Sequence, residues 1–353
     1  MGQSLWLDNI TRGLLDSGTL SRYVAECAVT GLTSNPTIFD HAISGGDLYD
    51  VAIRNKAGNA ASTEDLFFDL ALEDLTRAAD LLLPIHAASD GVDGWVSLEV
   101  SPLLADDPAA TLQAAARLHR DAHRPNLFIK IPGTPAGLPA VEEATYRGIP
   151  VNVTLLFSRE HYIAAAEAYM RGIERRIAAG LDPGVASVAS LFVSRWDAAT
   201  AAGAPPDLRN RLGIAVAQRT YRAHRELLAS TRWLRLQAAG ARIQRLIWAS
   251  TGTKDPDAPD TLYVDALVAP GTVNTMPEKT LLAFAQHGRI GTTLRADGGD
   301  AEEVIAAFTQ HGVDVPALAA QLQVNGARAF ADSWNDLLTR IALKAAATRP
   351  RPA

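Results

Sequence analysis

The sequence predicts an α/β fold whose parallel sheet closes into a (β/α)8 barrel carrying additional helices. Three observations point there. Eight short apolar stretches of strand length recur along the 353-residue chain. Helical patterns separate them, and strands that alternate with helices build a parallel sheet. The alternative, an open doubly wound sheet in its usual dinucleotide role, needs a glycine-rich phosphate fingerprint after an early strand, and the sequence has none.

The predicted strands are Leu5–Ile10, Gly31–Pro36, Trp95–Ser101, Leu127–Pro132, Val151–Ser158, Val185–Arg195, Arg245–Thr251 and Thr272–Met276. Between the second and third, Thr63–Leu83 has the pattern of a long amphipathic helix. Ser62 is its N-cap, and Glu64 and Asp65 make an acidic first turn. Pro108–Asp121 is a helix capped by Asp107. Ser158–Ala179 opens on Ser158, with His161 where a capping box would carry an acid. Asp207–Ala239 is long, helical and rich in arginine, and Val313–Leu343 holds the C-terminal helices. The run 202–206 (Ala-Gly-Ala-Pro-Pro) is a loop, because strand and helix patterns continue on both sides. Residues 1–347 are expected to form one barrel domain, and 348–353 a disordered tail.

Composition narrows the function. Apolar content of 48% with 20% charged residues describes a soluble globular protein with a sizeable core. A net charge of −6 leaves no basic footprint for nucleic acid. Cys27 is the only cysteine, which excludes an internal disulfide and a multi-cysteine zinc site. His119 and His123 stand four apart, but no further metal ligand accompanies them. The first residues show no basic-then-apolar leader, and no apolar run approaches the ~20 residues that cross a bilayer. The expected location is therefore the cytoplasm, with no membrane or nucleic-acid partner.

In a barrel, side chains alternate between interior and helix layer, and active sites form at the C-terminal strand ends. Polar groups near the ends of apolar strands are thus the candidates. Strand one supplies Asp8 and Asn9. Strand two supplies Thr33 and Asn35, on one face. Strand three supplies Glu99, which shares a face with Ser97 and Ser101. Strand four supplies Lys130, set between Ile129 and Ile131. Strand five supplies Asn152 and Thr154, and strand six Ser190 and Phe192, then Arg195. Strand seven supplies Ser250 and Thr251, with Lys254 beyond.

Lys130 is the most unusual of the five lysines. An ammonium in an apolar strand loses hydration and is seldom placed there unless paired or used. Desolvation favours a free amine, the form a Schiff-base lysine needs. A buried ion pair with Glu99 or Asp8 explains Lys130 equally well. Asp8 and Asn9 also suit an N-cap and turn, and Asn35-Pro36 a turn start. Arg195 suits a surface ion pair, and Ser190 and Ser250 suit small-residue packing. Asp93, Asp106 and Asp107 have the setting of solvated loop or cap residues.

Taken together, the motifs resemble the transaldolases, Schiff-base enzymes built on a TIM barrel. The segments that carry the resemblance are Leu7-Asp8-Asn9, Gly31-Leu32-Thr33-Ser34-Asn35-Pro36, Val96-Ser97-Leu98-Glu99-Val100, Phe128-Ile129-Lys130-Ile131-Pro132-Gly133-Thr134, Asn152-Val153-Thr154-Leu155-Leu156-Phe157-Ser158, Ser190-Leu191-Phe192-Val193-Ser194-Arg195 and Trp248-Ala249-Ser250-Thr251-Gly252-Thr253-Lys254, with Val273-Asn274-Thr275-Met276-Pro277 also typical. The likeness runs from Leu5 to Leu343.

The resemblance implies that Lys130 forms the Schiff base with a ketose phosphate. Glu99, through a water held by Thr154, serves its proton transfers, and Asp8 is the base for carbon–carbon cleavage. It further implies that Thr33, Asn35, Asn152 and Ser190 belong to the substrate site, and that Phe192 keeps water from the enamine. Arg195, Ser250 and Lys254 are left for the phosphate. Many relatives carry an arginine two positions after that serine; Gly252 stands there here, and Lys254 is expected to take over. No metal or organic cofactor is implied, and assembly is expected as a monomer or homodimer. The pattern resembles the longer bacterial type, including forms fused to a phosphoglucose isomerase, although no isomerase segment follows in this sequence. The implied reaction moves dihydroxyacetone between sugar phosphates. Its rivals are an aldolase that releases free dihydroxyacetone from fructose 6-phosphate and a barrel that only binds sugar phosphates.

Overall fold

The computed structural model describes residues 2–347, and the tail expected at 348–353 lies outside them. Eight strands form one sheet: β1 (Ser4–Asp8), β2 (Val29–Thr33), β3 (Val96–Glu99), β4 (Leu127–Pro132), β5 (Val151–Leu156), β6 (Ser187–Phe192), β7 (Gln244–Ala249) and β8 (Val273–Met276). Their order is β2-β1-β8-β7-β6-β5-β4-β3, with parallel pairing throughout. A parallel bridge between Gly31 and Trp95 joins the two ends, supported by Leu32 N donating to Trp95 O at 2.9 Å. The sheet therefore closes into the expected (β/α)8 barrel.

The strand faces sort the core in two. Leu127, Ile129 and Ile131 of β4 belong to the cluster under the helices. Phe128, between them, belongs to a second cluster with Trp6, Trp95, Val188, Ile247 and Val273. This second set fills the N-terminal end of the barrel interior. Trp95 stacks on Phe128 at 4.0 Å, and Trp6 lies 6.3 Å from Phe128. Asp93 belongs to this end too: it accepts from Trp6 Nε1 at 3.0 Å and pairs with Arg245 at 3.5 Å, so it is a structural anchor rather than a solvated loop residue. Two residues further along β1, β4, β6 and β8 the interior turns polar, at Asp8, Lys130, Ser190 and Thr275. That switch, from aromatic plug to polar floor, creates the site.

Gly31 makes the closure possible. A Cβ there would sit 2.5 Å from the Trp6 ring. Gly31→Ala is therefore expected to lower unfolding stability by about 1–3 kcal/mol, the usual cost of overpacking. Urea denaturation checks this, and an unchanged midpoint would refute it.

Caps behave as the sequence suggests. Ser62, Asp107 and Ser158 accept from the backbone N–H of Asp65, Ala110 and His161 respectively. Boundaries differ where a local signal was outweighed. The helix from Thr63 runs through Pro84 to Ala88 rather than stopping at Leu83. The arginine-rich stretch breaks into Leu212–Leu228 and Thr231–Ala238, because Ser230 caps a new helix by accepting from Trp233 N. The C-terminal region is one helix, Val315–Ala347, rather than several. β6 ends at Phe192, so Arg195 lies in the first turn of the helix Ser194–Thr200 and not on a strand. No helix among the described residues is long and apolar enough to cross a membrane.

Candidate active site

At the C-terminal end of the barrel is a cleft of about 110 Å³. Asp8, Thr33, Asn35, Lys130, Thr154, Ser190, Phe192, Arg195, Ser250 and Lys254 all line it. These are ten of the twelve residues that the resemblance assigns to the site. The other two, Glu99 and Asn152, lie beneath the floor. Strand register sets both beside Lys130, Glu99 on β3 and Asn152 on β5. A cavity of about 650 Å³ at the opposite end is larger, but no lysine lines it.

Lys130 is 4% exposed. Its Nζ lies 3.2 Å from Glu99 Oε2 and donates to the Ser34 carbonyl at 3.0 Å. The ion-pair reading is thus correct as geometry, with Glu99 as the partner. Glu99 Oε1 and Thr154 Oγ1 are both buried without a protein partner. Burial pushes the Glu99 carboxyl above its ordinary value, and the Lys130 charge pulls it back in part.

Asp8 does not cap a helix. Thr11 caps the following one, accepting from Leu14 N. The Asp8 carboxylate instead accepts from Thr33 Oγ1 at 2.7 Å. Asp8 is half-buried, and its exposed part faces the cleft. Burial pushes its pKa up, opposed by Lys130, by the Thr33 hydrogen bond and by Lys254 and Arg195. The Lys130 amine therefore sits among two carboxyl groups, Asp8 and Glu99, whose neutral forms burial favours, a pattern typical of acid–base sites.

Asn35 is a helix N-cap, as its Asn-Pro context implies: its Oδ1 accepts from Ile38 N at 3.1 Å. Its amide nitrogen remains available to the cleft. Asn152 is fully buried, donates to Ser97 Oγ at 3.2 Å and accepts from Ser190 Oγ at 2.7 Å. It orients the floor rather than facing the opening. Arg195 is in no surface ion pair among the described residues. Its guanidinium lies 5.0 Å from the Phe192 ring and 5.8 Å from Phe330. Burial lowers its pKa, against the pull of Glu99 and Asp8. Ser250 adopts φ of +55°, a strained conformation for a non-glycine residue, which turns the chain as β7 ends. Its Oγ shares a hydrogen bond with Ser194 Oγ at 2.9 Å. Gly252 lines the cleft without a cation, and Lys254 brings one. His123 ends its helix in a left-handed conformation, and no metal-binding group occurs among the described residues.

Three contributors escaped the sequence reading. Thr275 lines the cleft and shares a 2.7 Å hydrogen bond with Thr33. The alternation rule would have found it, since Val273 shares its face. The Ser34 carbonyl has no sequence signal. Neither has Phe330, which reaches the cleft from the C-terminal helix, its ring 5.7 Å from Lys130 Nζ.

A family model described as transaldolase/fructose-6-phosphate aldolase matches residues 5–341. A transaldolase of Parafrankia sp. (strain EAN1pec) is 46% identical over 349 residues, which span 96% of this chain and 95% of that protein. One from Thermobifida fusca (strain YX) is 46% identical, spanning 98% of this chain and 96% of its own length. One from Mycolicibacterium smegmatis is 43% identical across 96% of this chain and 93% of its own. Sequence likeness at this level and coverage agrees with the barrel and with the lysine at its mouth: the chain belongs to the transaldolase/fructose-6-phosphate aldolase family.

Proposed function

We propose that this protein is a transaldolase that moves a dihydroxyacetone unit from sedoheptulose 7-phosphate to glyceraldehyde 3-phosphate. The products are erythrose 4-phosphate and fructose 6-phosphate. The observation that carries the reading is the Lys130–Glu99 pair at 3.2 Å, buried at the floor of a cleft that Asp8 also lines.

The reaction runs as follows. Lys130 Nζ, as the free amine, attacks C2 of the ketose, and loss of water from the carbinolamine gives an iminium. Glu99 is placed to move the protons of this step, with Thr154 Oγ1 free to hold the water between them. Asp8 removes the proton from the C4 hydroxyl. The C3–C4 bond breaks, its electrons pass into the iminium, and the aldose leaves. The resulting enamine attacks the acceptor carbonyl, and Asp8 returns the proton to the new hydroxyl. Water then hydrolyses the new iminium and frees Lys130. The iminium is the electron sink.

Asn35 and Ser190 are placed to hold hydroxyls of the three-carbon unit, and Thr33 to orient Asp8. Asn152 acts through Ser190. Arg195, Ser250 and Lys254 line the same cleft and suit the phosphate. Phe192 walls the cleft with apolar surface that keeps water from the enamine. Every one of these groups comes from one chain, so a monomer or a homodimer suffices. We place the enzyme in the cytoplasm, in the pentose phosphate pathway, where its phosphorylated substrates occur.

A product assay tests the reading. With sedoheptulose 7-phosphate and glyceraldehyde 3-phosphate, fructose 6-phosphate should accumulate. With fructose 6-phosphate and no acceptor, little free dihydroxyacetone should appear. Rapid release of dihydroxyacetone without acceptor would point to an aldolase instead.

A further inference from the structure

The C-terminal helix Val315–Ala347 presents one face to the mouth of the barrel. Gln323, Gly326 and Phe330 lie three and seven residues apart, on a single side of the helix. Gln323 is 7% exposed, and its Nε2 donates to Leu155 O at 2.9 Å and to Gly133 O at 3.2 Å. Those carbonyls close the strands that carry Thr154 and Lys130. Leu155 has φ of +59° at a register break in β5, a conformation that costs energy in a leucine. Its carbonyl is held by a side chain of the helix. Gly326 permits the close seating: a Cβ there would lie 3.0 Å from Leu155 Cδ2 and 3.2 Å from an Arg195 nitrogen. The seating sets Phe330 over Lys130, with Arg195 between the Phe330 and Phe192 rings.

We infer that Phe330 is a specificity-determining residue that decides whether the lysine-bound three-carbon fragment is transferred or released, and that Gln323 positions it. The inference rests on the Schiff-base reading of Lys130. Once the aldose has left, the enamine has two fates. Its carbon can attack an acceptor aldehyde, forming the new carbon–carbon bond. Alternatively it takes a proton at that carbon, water adds to C2 of the iminium, and the C–N bond breaks to give dihydroxyacetone and free Lys130. Only the second fate needs water and a proton source at the adduct before an acceptor arrives. A phenyl ring over the lysine presents apolar surface and no hydrogen-bonding partner to that water. Gln323 acts at a distance, through the two carbonyls that fix the helix to β4 and β5.

The test measures dihydroxyacetone against sedoheptulose 7-phosphate formed from fructose 6-phosphate and erythrose 4-phosphate. Phe330→Ala should raise that ratio about tenfold or more by admitting water, and Phe330→Leu should raise it less. Gln323→Met keeps the volume and loses the donor, and should shift the ratio the same way by severalfold. Val324→Ala, at an exposed position of the same helix, should not move it. Borohydride with fructose 6-phosphate should still label Lys130 in all of them. A ratio unchanged in folded Phe330→Ala and Phe330→Leu, even with reduced thermal stability, would overturn the inference. Loss of labelling in the unmutated protein would instead bring down the Schiff-base reading beneath it.

Discussion

Lys130→Met is expected to fold and to lose transfer by roughly 10⁴-fold or more, the scale of removing a covalent nucleophile. Methionine fills the lysine's volume in β4, where Ile129 and Ile131 pack outward and only Nζ is polar. The variant removes the charge facing Glu99. Leaving one member of a buried pair costs about 3–5 kcal/mol when the survivor stays charged. Here Glu99 can take up a proton instead, because burial already raises its pKa and Lys130 is the main influence lowering it.

The sign of the resulting pH dependence follows. A carboxyl whose folded pKa is raised binds its proton more tightly in the native state than in the unfolded chain. Stability is then greatest at acid pH and falls as pH climbs above the ordinary glutamate value of 4.5, levelling off once the folded form has ionised. Relative to the parent, Lys130→Met should therefore lose stability progressively on that alkaline side. Thermal melts across pH check this, and a difference independent of pH would contradict it. Turnover that survived the substitution would make another amine the nucleophile, Lys254 first.

Asp8→Asn is expected to lower kcat by about 10²–10⁴, the range of general acid–base catalysis. The amide keeps an oxygen that can accept from Thr33 Oγ1 but no longer takes a proton. The lysine adduct should still form, so borohydride labelling persists while carbon–carbon cleavage stops. Stability should move in the opposite sense to activity. Burial raises the Asp8 pKa, so ionising it weighs against the native state as pH rises above the ordinary aspartate value of 3.8. The Asn variant lacks that penalty. Its stability relative to the parent should grow as pH rises and vanish in acid. A variant less stable at pH 8 than at pH 4, relative to the parent, would show that Asp8 is held as a favourable anion instead.

Much of this site was legible because a barrel imposes two simple rules. Side chains alternate, and function gathers at one end of the strands. Lys130 stood out between two isoleucines, and the bounds of β4 were those expected. Thr33, Thr154 and Ser190 followed from alternation. What was not legible comes from long-range packing or from backbone detail. Phe330 is an ordinary apolar residue of a helix until that helix crosses the barrel mouth. The left-handed turn at Leu155 has no mark in a leucine-rich strand. Arg195 lies within an apolar-looking run, so the helix start at Ser194 was hidden. Asn152 was recognised as polar and inward, but its depth is set by Ser97 and Ser190, which satisfy its amide on neighbouring strands.

The proposed chemistry depends on a covalent bond between Lys130 and the ketose. Borohydride reduction in the presence of fructose 6-phosphate, followed by peptide mass mapping, tests it most directly. One stable three-carbon or ketose adduct per chain is expected, carried by the peptide that contains Lys130. A folded protein with no adduct, or with the adduct on Lys254 or another lysine, would contradict it.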